Sequence, residues 1–470
     1  MTTVWPLRFR ELGGDLLFAD EAGGWFYSDR AFLDRYALGE LTSEDQDFLL
    51  RGGFAFNRIG DLSYSSFLRR WSGRHASMSP SINYVILVPT LRCNLSCEYC
   101  QVSRAAIGAQ GYDWSEETLE HALAFLDRLT TGPIKIEFQG GEPLLRIDIL
   151  ERVREFCRSR FEKATFVVCS NFQMVDDRVW AFFADEDTHL STSIDGDVGT
   201  HSAQRTFDPA LTNAFFENVA GFIDRYGPDR VSALPTIDLH RPFSADALID
   251  QYLQFGLTSI YLRPVNRQGF ARRKAAVQDE IATWSHLHER FIDRLIERNY
   301  DEGLALEEYY FTHALRRVLR LGINNHVDLR NPNILGDSYI VVDHDGTLYP
   351  TDEARMMSRV GQIDLSIGNL QAGLDRERLR TLNAWSFNDL DPDCQHCPYQ
   401  AYCGTDAIDD VSRYGRIDLP RFETWFCNRH LALFDLIFRL LRSDDPKVQH
   451  SLALWAGINS WPKSIVRMRK

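Results

Sequence analysis

The chain has 470 residues, enough for two or three domains with a sizeable core. Its 52 Lys and Arg against 66 Asp and Glu leave a formal charge of −14, which argues against a general nucleic-acid scaffold. Nine cysteines, an odd number behind a polar N-terminus with no signal peptide, predict a reducing cytoplasm and a metal role, not a disulfide framework.

Residues 1–75 mix short strand patterns ("LRFRELGGDLLFADEAGGWFYS") with helical ones ("SEDQDFLLRGGF"), as a small α+β module would. The Ser-rich, basic stretch "RRWSGRHASMSPS" reads as a linker. "FLRRWSGRH" and the tail "SIVRMRK" are local basic patches on an acidic chain.

From residue 83 strand patterns recur: "NYVILVPT", "IKIEFQ", "ATFVVCSN", "LSTSIDG", "VSALPTID" and "SIYLRPV". Helical segments separate them. In "SEETLEHALAFLDRLTTG", Ser115 is placed to cap and Leu119, Ala122, Leu126 and Leu129 share a face. Six β-α units over residues 83–300 predict a parallel, right-handed array, too short to close as an eight-stranded barrel. An open (β/α)6 barrel follows, with its active site at the C-terminal ends of the strands.

Beyond residue 300 the alternation stops. "YIVVDHDGTLY" predicts a hairpin turning at Asp345-Gly346, followed by a cysteine-bearing loop. "LALFDLIFRLL", interrupted by Asp435 and Arg439, is too short to span a membrane and reads as an amphipathic helix on a core. Cys157 and Cys169 stand alone and read as ordinary buried thiols.

The other seven cysteines form two groups. "PTLRCNLSCEYCQ" sets Cys93, Cys97 and Cys100 in a loop leaving the first strand of the array. Three thiolates there can hold three corners of an iron–sulfur cube and leave the fourth iron open. Structural zinc would want a fourth Cys or His nearby, and residues 83–120 hold none beyond these three. A disulfide would strand the third cysteine. The residues alone favour a cluster and leave zinc and coincidence open.

The CxxxCxxC pattern, with Tyr99 before its last cysteine, resembles the signature of the radical S-adenosylmethionine (SAM) enzymes. In that family the open iron takes the amino and carboxylate groups of SAM, whose reductive cleavage gives a 5′-deoxyadenosyl radical. "FQGGEP" resembles the family's next motif: Gly140 and Gly141 permit close backbone approach, and Glu142 is implied as an acceptor for the methionine ammonium. "CSN" falls where relatives carry a Ser-Asn-Gly type of turn, with Phe172 in place of that glycine. "SIDGDVGTHSAQR" resembles the SAM-positioning segment of peptide-modifying members. The resemblance implies Ser193 at the ribose and Arg205 at the carboxylate, with Asp195 and His201 either binding or organising the loop.

"CQHCPYQAYCG", with Cys427 downstream in "WFCNRH", supplies four thiols: Cys394, Cys397, Cys403 and Cys427. Spacing alone does not separate zinc from a [4Fe–4S] cluster. The segment resembles the SPASM extension of radical SAM peptide maturases, where such ligands hold an auxiliary cluster. Thr351 and Ala407 stand where the full extension carries ligands of a second, inner cluster, so one auxiliary [4Fe–4S] cluster is implied. Asp352 follows Thr351, and the resemblance implies a base acting on the substrate.

Residues 1–75, 83–300 and 301–470 are thus expected to be a winged-helix-like module able to grip a leader peptide, a radical SAM partial barrel and a SPASM-like extension. "YLRPVNRQGFA", "LYPTDEARM" and "CQVSR" resemble the His-Xaa-Ser system maturases of the HxsB type. That resemblance implies a precursor peptide with His-Xaa-Ser repeats, an electron donor such as flavodoxin or ferredoxin, and a companion maturase. Two other classes stay open: a radical SAM enzyme acting on a small molecule, and a non-catalytic zinc-bearing scaffold.

Overall fold

A computed structural model describes residues 2–75, 82–129, 132–274, 277–320, 326 and 329–462. The basic tail and the second half of the expected linker lie outside the described residues. The first half of that linker is helical, because the helix Leu62–His75 runs through it. Its basic side chains do not form a free patch. Arg70 pairs with Asp20 at 3.0 Å, and Arg74 is only 2% exposed.

The N-terminal module comprises β1 (Thr3–Val4), β2 (Arg8–Leu12), β3 (Asp15–Ala19), β4 (Trp25–Ser28) and β5 (Ala55–Phe56). Helices Arg30–Leu38, Ser43–Gly52 and Leu62–His75 complete it. Gly13 and Gly14, at φ 58° and 91°, make the two-residue turn that pairs β2 antiparallel to β3, and β4 extends the sheet. Leu17, Ala19, Trp25 and Tyr27 point away from the module's own core into the main core of the molecule.

The array begins with β6 (Tyr84–Thr90), β7 (Arg92–Cys93) and β8 (Ala105–Ala106). It continues through β9 (Ile134–Gly140), β10 (Ala164–Cys169), β11 (Thr188–Thr192), β12 (Val231–Ala233) and β13 (Thr236–Ile237). Next come β14 (Ser259–Ile260), β15 (Arg263–Pro264) and β16 (Glu307–Glu308), and last the hairpin β17 (Tyr339–Val342) and β18 (Leu348–Tyr349). One sheet runs β12-β11-β10-β9-β6-β17-β18, parallel throughout except for the final pair. The expected open α/β barrel is present. Its sixth strand is broken in two: β14 pairs with β16 and β15 with β13, outside the seven-stranded sheet. The predicted hairpin forms, and β17 joins β6, so the C-terminal region extends the barrel sheet.

Alternation on β9 sorts the two faces. Ile134, Ile136 and Phe138 are buried in the core with Val85, Leu87, Phe166 and Val168. Lys135, Glu137 and Gln139 face a lumen cavity of about 920 Å³. The helix Glu116–Asp127 starts under the Ser115 cap and buries Leu119, Ala122, Phe125 and Leu126; Leu129 lies just beyond its end, packed on the same core. The helix Trp425–Leu441 buries its apolar face as expected, and no described helix is long and apolar enough to cross a membrane.

Candidate active site

The first cysteine loop sits at the C-terminal end of β6 and packs directly on the turn that ends β9. Gly140 (φ 125°) and Gly141 lie against the loop's backbone: a Cβ on Gly140 would come 2.2 Å from the Thr90 carbonyl, and one on Gly141 2.2 Å from that of Arg92. The N–H groups of Gly141 and Glu142 donate to these same carbonyls at 2.9 and 2.8 Å. Both glycines are therefore required for loop-to-turn contact. From the other side Gly269 (φ 54°) presses on the Gln101 carbonyl, and Ala271 N–H donates to that of Cys100 at 3.2 Å.

Glu142 is buried and accepts from the Ser170 hydroxyl at 2.8 Å and from the N–H groups of Asn171 and Leu144 at 2.8 and 3.1 Å. Burial pushes its carboxyl up to about 7 despite these donors. Asn171 in turn donates to Asn94 Oδ1 at 2.8 Å and approaches Cys93 Sγ at 3.7 Å. Phe172 keeps the left-handed backbone that favours glycine, at φ 51°. Its fully buried ring, packed edge-on against Trp180, Phe183 and Phe222, offsets that strain.

Arg205 and Asp195 converge on Tyr99. Arg205 donates to the Tyr99 hydroxyl at 2.8 Å, which donates to Asp195 Oδ2, while Thr236 N–H donates to Asp195 Oδ1 at 3.0 Å. Burial raises the Asp195 carboxyl against the pull of Arg205. Asp195 thus ties the cysteine loop to the strands beside it. Ser193 is half-buried just past the end of β11. His201 is an organising residue: it stacks on Phe215 at 4.8 Å, and burial drives its imidazole down to about 2, so it stays neutral.

Asp352 lies at the start of the helix Asp352–Arg359 and lines the lumen with Glu137 and Gln101. Burial raises its carboxyl, although Arg355 Nε donates to it at 2.7 Å. Thr351 Oγ1 caps that helix, accepting from Ala354 N–H at 3.0 Å, and Ala407 opens the helix Ala407–Tyr414. Both positions serve local helix geometry.

Cys394, Cys397, Cys403 and Cys427 line one cavity of about 340 Å³. Burial pushes the Cys427 thiol up to about 12, and Cys93 in the first set likewise. In neither set do three ligand atoms lie within 4.8 Å of one another; among the described residues only Asp343, His344 and Asp345 do so.

Glu137 escaped the sequence reading, although polar residues on alternate positions of "IKIEFQ" could have marked it. It accepts from the Tyr84 hydroxyl and Gln139 at 2.6 Å each, and from Cys169 at 3.3 Å. Cys157 is an inert core thiol, whereas Cys169 is bonded to a group of the lumen wall.

Comparison with known proteins bears on the fold. Residues 87–198 match the model of the Radical SAM superfamily. A stretch of 121 residues is 28% identical to an uncharacterized protein of Methanocaldococcus jannaschii, covering 25% of this chain and 41% of that protein. Another of 76 residues is 41% identical to GTP 3′,8-cyclase of Marinobacter nauticus, covering 16% and 22%. These matches span less than half the length of either curated relative. In fold, native anSMEcpe with bound AdoMet superposes with a TM-score of 0.60 at 17% identity, over 76% of this chain and 97% of that one. Streptococcus suis SuiB bound to precursor peptide SuiA gives 0.51 at 12% identity, over 88% and 97%.

Proposed function

We propose that this protein is a radical SAM peptide maturase. In this reading Cys93, Cys97 and Cys100 hold a [4Fe–4S] cluster whose fourth iron binds SAM. The observation that carries it is the cysteine loop's packing on the Gly140-Gly141 turn beside the Arg205–Tyr99–Asp195 chain. Three thiols with no fourth Cys or His beside them in the loop suit a cluster with one open iron better than a closed tetrahedral zinc. Cys394, Cys397, Cys403 and Cys427 line one cavity with room for a cluster, and in this reading they hold the auxiliary one.

When bound, the cluster and SAM supply reductive cleavage of the sulfonium and the hydrogen abstraction that follows. The chain's own residues do the rest. Glu142, held by three donors, fixes the turn beside the cysteine loop, and its remaining acceptor capacity would serve the methionine ammonium of SAM. Arg205 and Tyr99 fix the loop, Ser193 would serve the ribose, and burial limits water. Asp352, buried in the lumen with a carboxyl raised by that burial, is placed to accept a proton from substrate.

A lumen of about 920 Å³ is large enough to admit a chain segment, and the solved neighbours include SuiB bound to precursor peptide SuiA and anSMEcpe bound to AdoMet and the Cp18Cys peptide. These support a peptide substrate. The resemblance of the sequence to the His-Xaa-Ser system maturases is what further implies a flavodoxin- or ferredoxin-class electron donor, a companion maturase and a ribosomally made peptide of the His-Xaa-Ser repeat type. Residues 1–75 engage its leader by strand addition. The test is to co-express the enzyme with the peptide encoded beside it and weigh the product. Loss of a few hydrogens in a triplet region is expected. An unchanged mass with every neighbouring peptide, despite active SAM cleavage, would move the assignment to a small-molecule substrate.

A further inference from the structure

The N-terminal module is fastened to the second cysteine site. On β2, Arg8 Nε donates to the carbonyl of Gln395, the residue after Cys394, at 2.5 Å, and Arg8 Nη1 donates to Gln400 Oε1 at 3.0 Å. Arg10 makes a two-pronged pair with Asp435, 2.7 Å at each oxygen, and Tyr399 donates to the same carboxylate at 2.6 Å. Phe9 and Arg10 line the cavity that holds the four thiols. Behind them Arg74 donates to Asn388 Oδ1 at 3.0 Å, and Asn388 donates to the Cys403 carbonyl at 2.9 Å. Tyr402 closes the contact from the other side, donating to the Gly23 carbonyl at 2.9 Å. Three separate parts of the module therefore land on residues 388–403, which carry three of the four thiols.

A peptide-gripping domain on a tether needs none of these bonds. A cluster ligated by four thiolates is anionic, and its potential depends on nearby charge, hydrogen bonds and water. Arg10 lines the cavity and Asp435 does not, so the guanidinium is the member of the pair that borders the site. The charges of Arg10 and Arg8 both favour the Cys397 thiolate, and Asp435 offsets part of that. We infer that the N-terminal module forms one wall of the second cysteine site, and that Arg10 is a positioning residue that raises the reduction potential of the cluster bound there. The inference rests on reading that site as iron–sulfur.

The experiment uses full-length protein carrying Cys93→Ala, Cys97→Ala and Cys100→Ala, anaerobically reconstituted, so that only second-site iron is read. Iron content and midpoint potential are compared with Arg10 intact, Arg10→Gln and Arg10→Lys. Arg10→Gln should keep its iron and shift the reduction equilibrium about tenfold toward the oxidised form, about 59 mV for one electron. Arg10→Lys, which keeps the charge, should restore most of the potential. Equal potentials in all three proteins would overturn the inference while leaving the iron–sulfur reading intact. So would equal loss of iron from both variants at unchanged potential, which describes a mechanical clasp. Should Arg10→Gln fail to fold, Arg10→Gln with Asp435→Asn removes the pair without leaving a lone carboxylate. Because the opposing charge of Asp435 goes too, a smaller fall in the same direction is expected, and an unchanged potential would overturn the inference. Zinc or no metal in the parent protein would overturn the site reading, and this inference with it.

Discussion

The two cysteine sites are built in opposite ways. The first is local: three thiols within eight residues, on a loop whose neighbours are the ends of adjacent strands of one sheet. It offers three ligands and leaves one position open. The second needs the whole chain: Cys427 comes from the start of a helix, and one wall comes from β2, 387 residues away along the chain at the Arg8–Gln395 contact. It offers four ligands. Both sets are half-buried, so they differ in ligand number and in how far along the chain their parts are gathered. In the proposed reading the three-ligand site keeps a position for SAM while the four-ligand site passes electrons.

Removing the first site should have the largest effect. Cys93→Ala, Cys97→Ala and Cys100→Ala together should abolish SAM cleavage while the chain still folds, since the three lie in a loop. Cleavage at the wild-type rate, followed by 5′-deoxyadenosine release, would end the contrast between an open and a closed site.

Asp352 tests whether chemistry on the substrate is separate from both. Asp352→Asn should leave SAM cleavage intact and lower peptide product on the order of 10²-fold. Burial raises this carboxyl, so wild-type product formation should climb with pH through a value above the usual carboxylate range, and the variant should be flat. Product equal to wild type at every pH would make Asp352 a helix-start residue only.

Phe172 sharpens the account of the barrel mouth. Truncating this buried ring to alanine should cost about 3–5 kcal/mol in urea unfolding. Phe172→Gly should be more stable than Phe172→Ala by about 1 kcal/mol, the reverse of the usual order, because φ is positive there. An alanine variant that matches or exceeds the glycine variant would show that the backbone relaxes.

The smallest effect is a pH slope. Glu142 holds its proton more tightly folded than unfolded, so its contribution is fully present below about 4.5 and is lost as pH rises through about 7. Without SAM, stability should fall by at most about 3 kcal/mol between those values, and Glu142→Gln should flatten that slope. An unaltered slope would place the titration on another group.

Readability from sequence followed locality. The cysteine loop, the Ser115 cap and the Asp345-Gly346 turn each act through residues a few positions apart, and each is where its residues predict. The two glycines before Glu142 are legible as a motif, although the carbonyls they approach, those of Thr90 and Arg92, lie about fifty residues earlier. The parallel pairing of β17 with β6 joins residues some 255 apart, and nothing in "YIVVDHDGTLY" announces a partner. The break in the sixth strand comes from partners, β13 and β16, that lie outside that stretch. Phe172 kept the glycine backbone because three aromatic rings, from two other helices, compensate it. Arg8 and Arg10 read as ordinary strand surface until the fold sets them against Gln395 and Asp435.

The most direct test of two cluster sites, one of three ligands and one of four, is iron and zinc content per chain after anaerobic reconstitution. Two four-iron sites predict about 8 Fe in wild type, and about 4 Fe when either cysteine set is replaced by alanine. About 4 Fe with one zinc in the wild-type protein would contradict the four-ligand cluster, and about 12 Fe would mean that residues other than Thr351 and Ala407 complete an inner one.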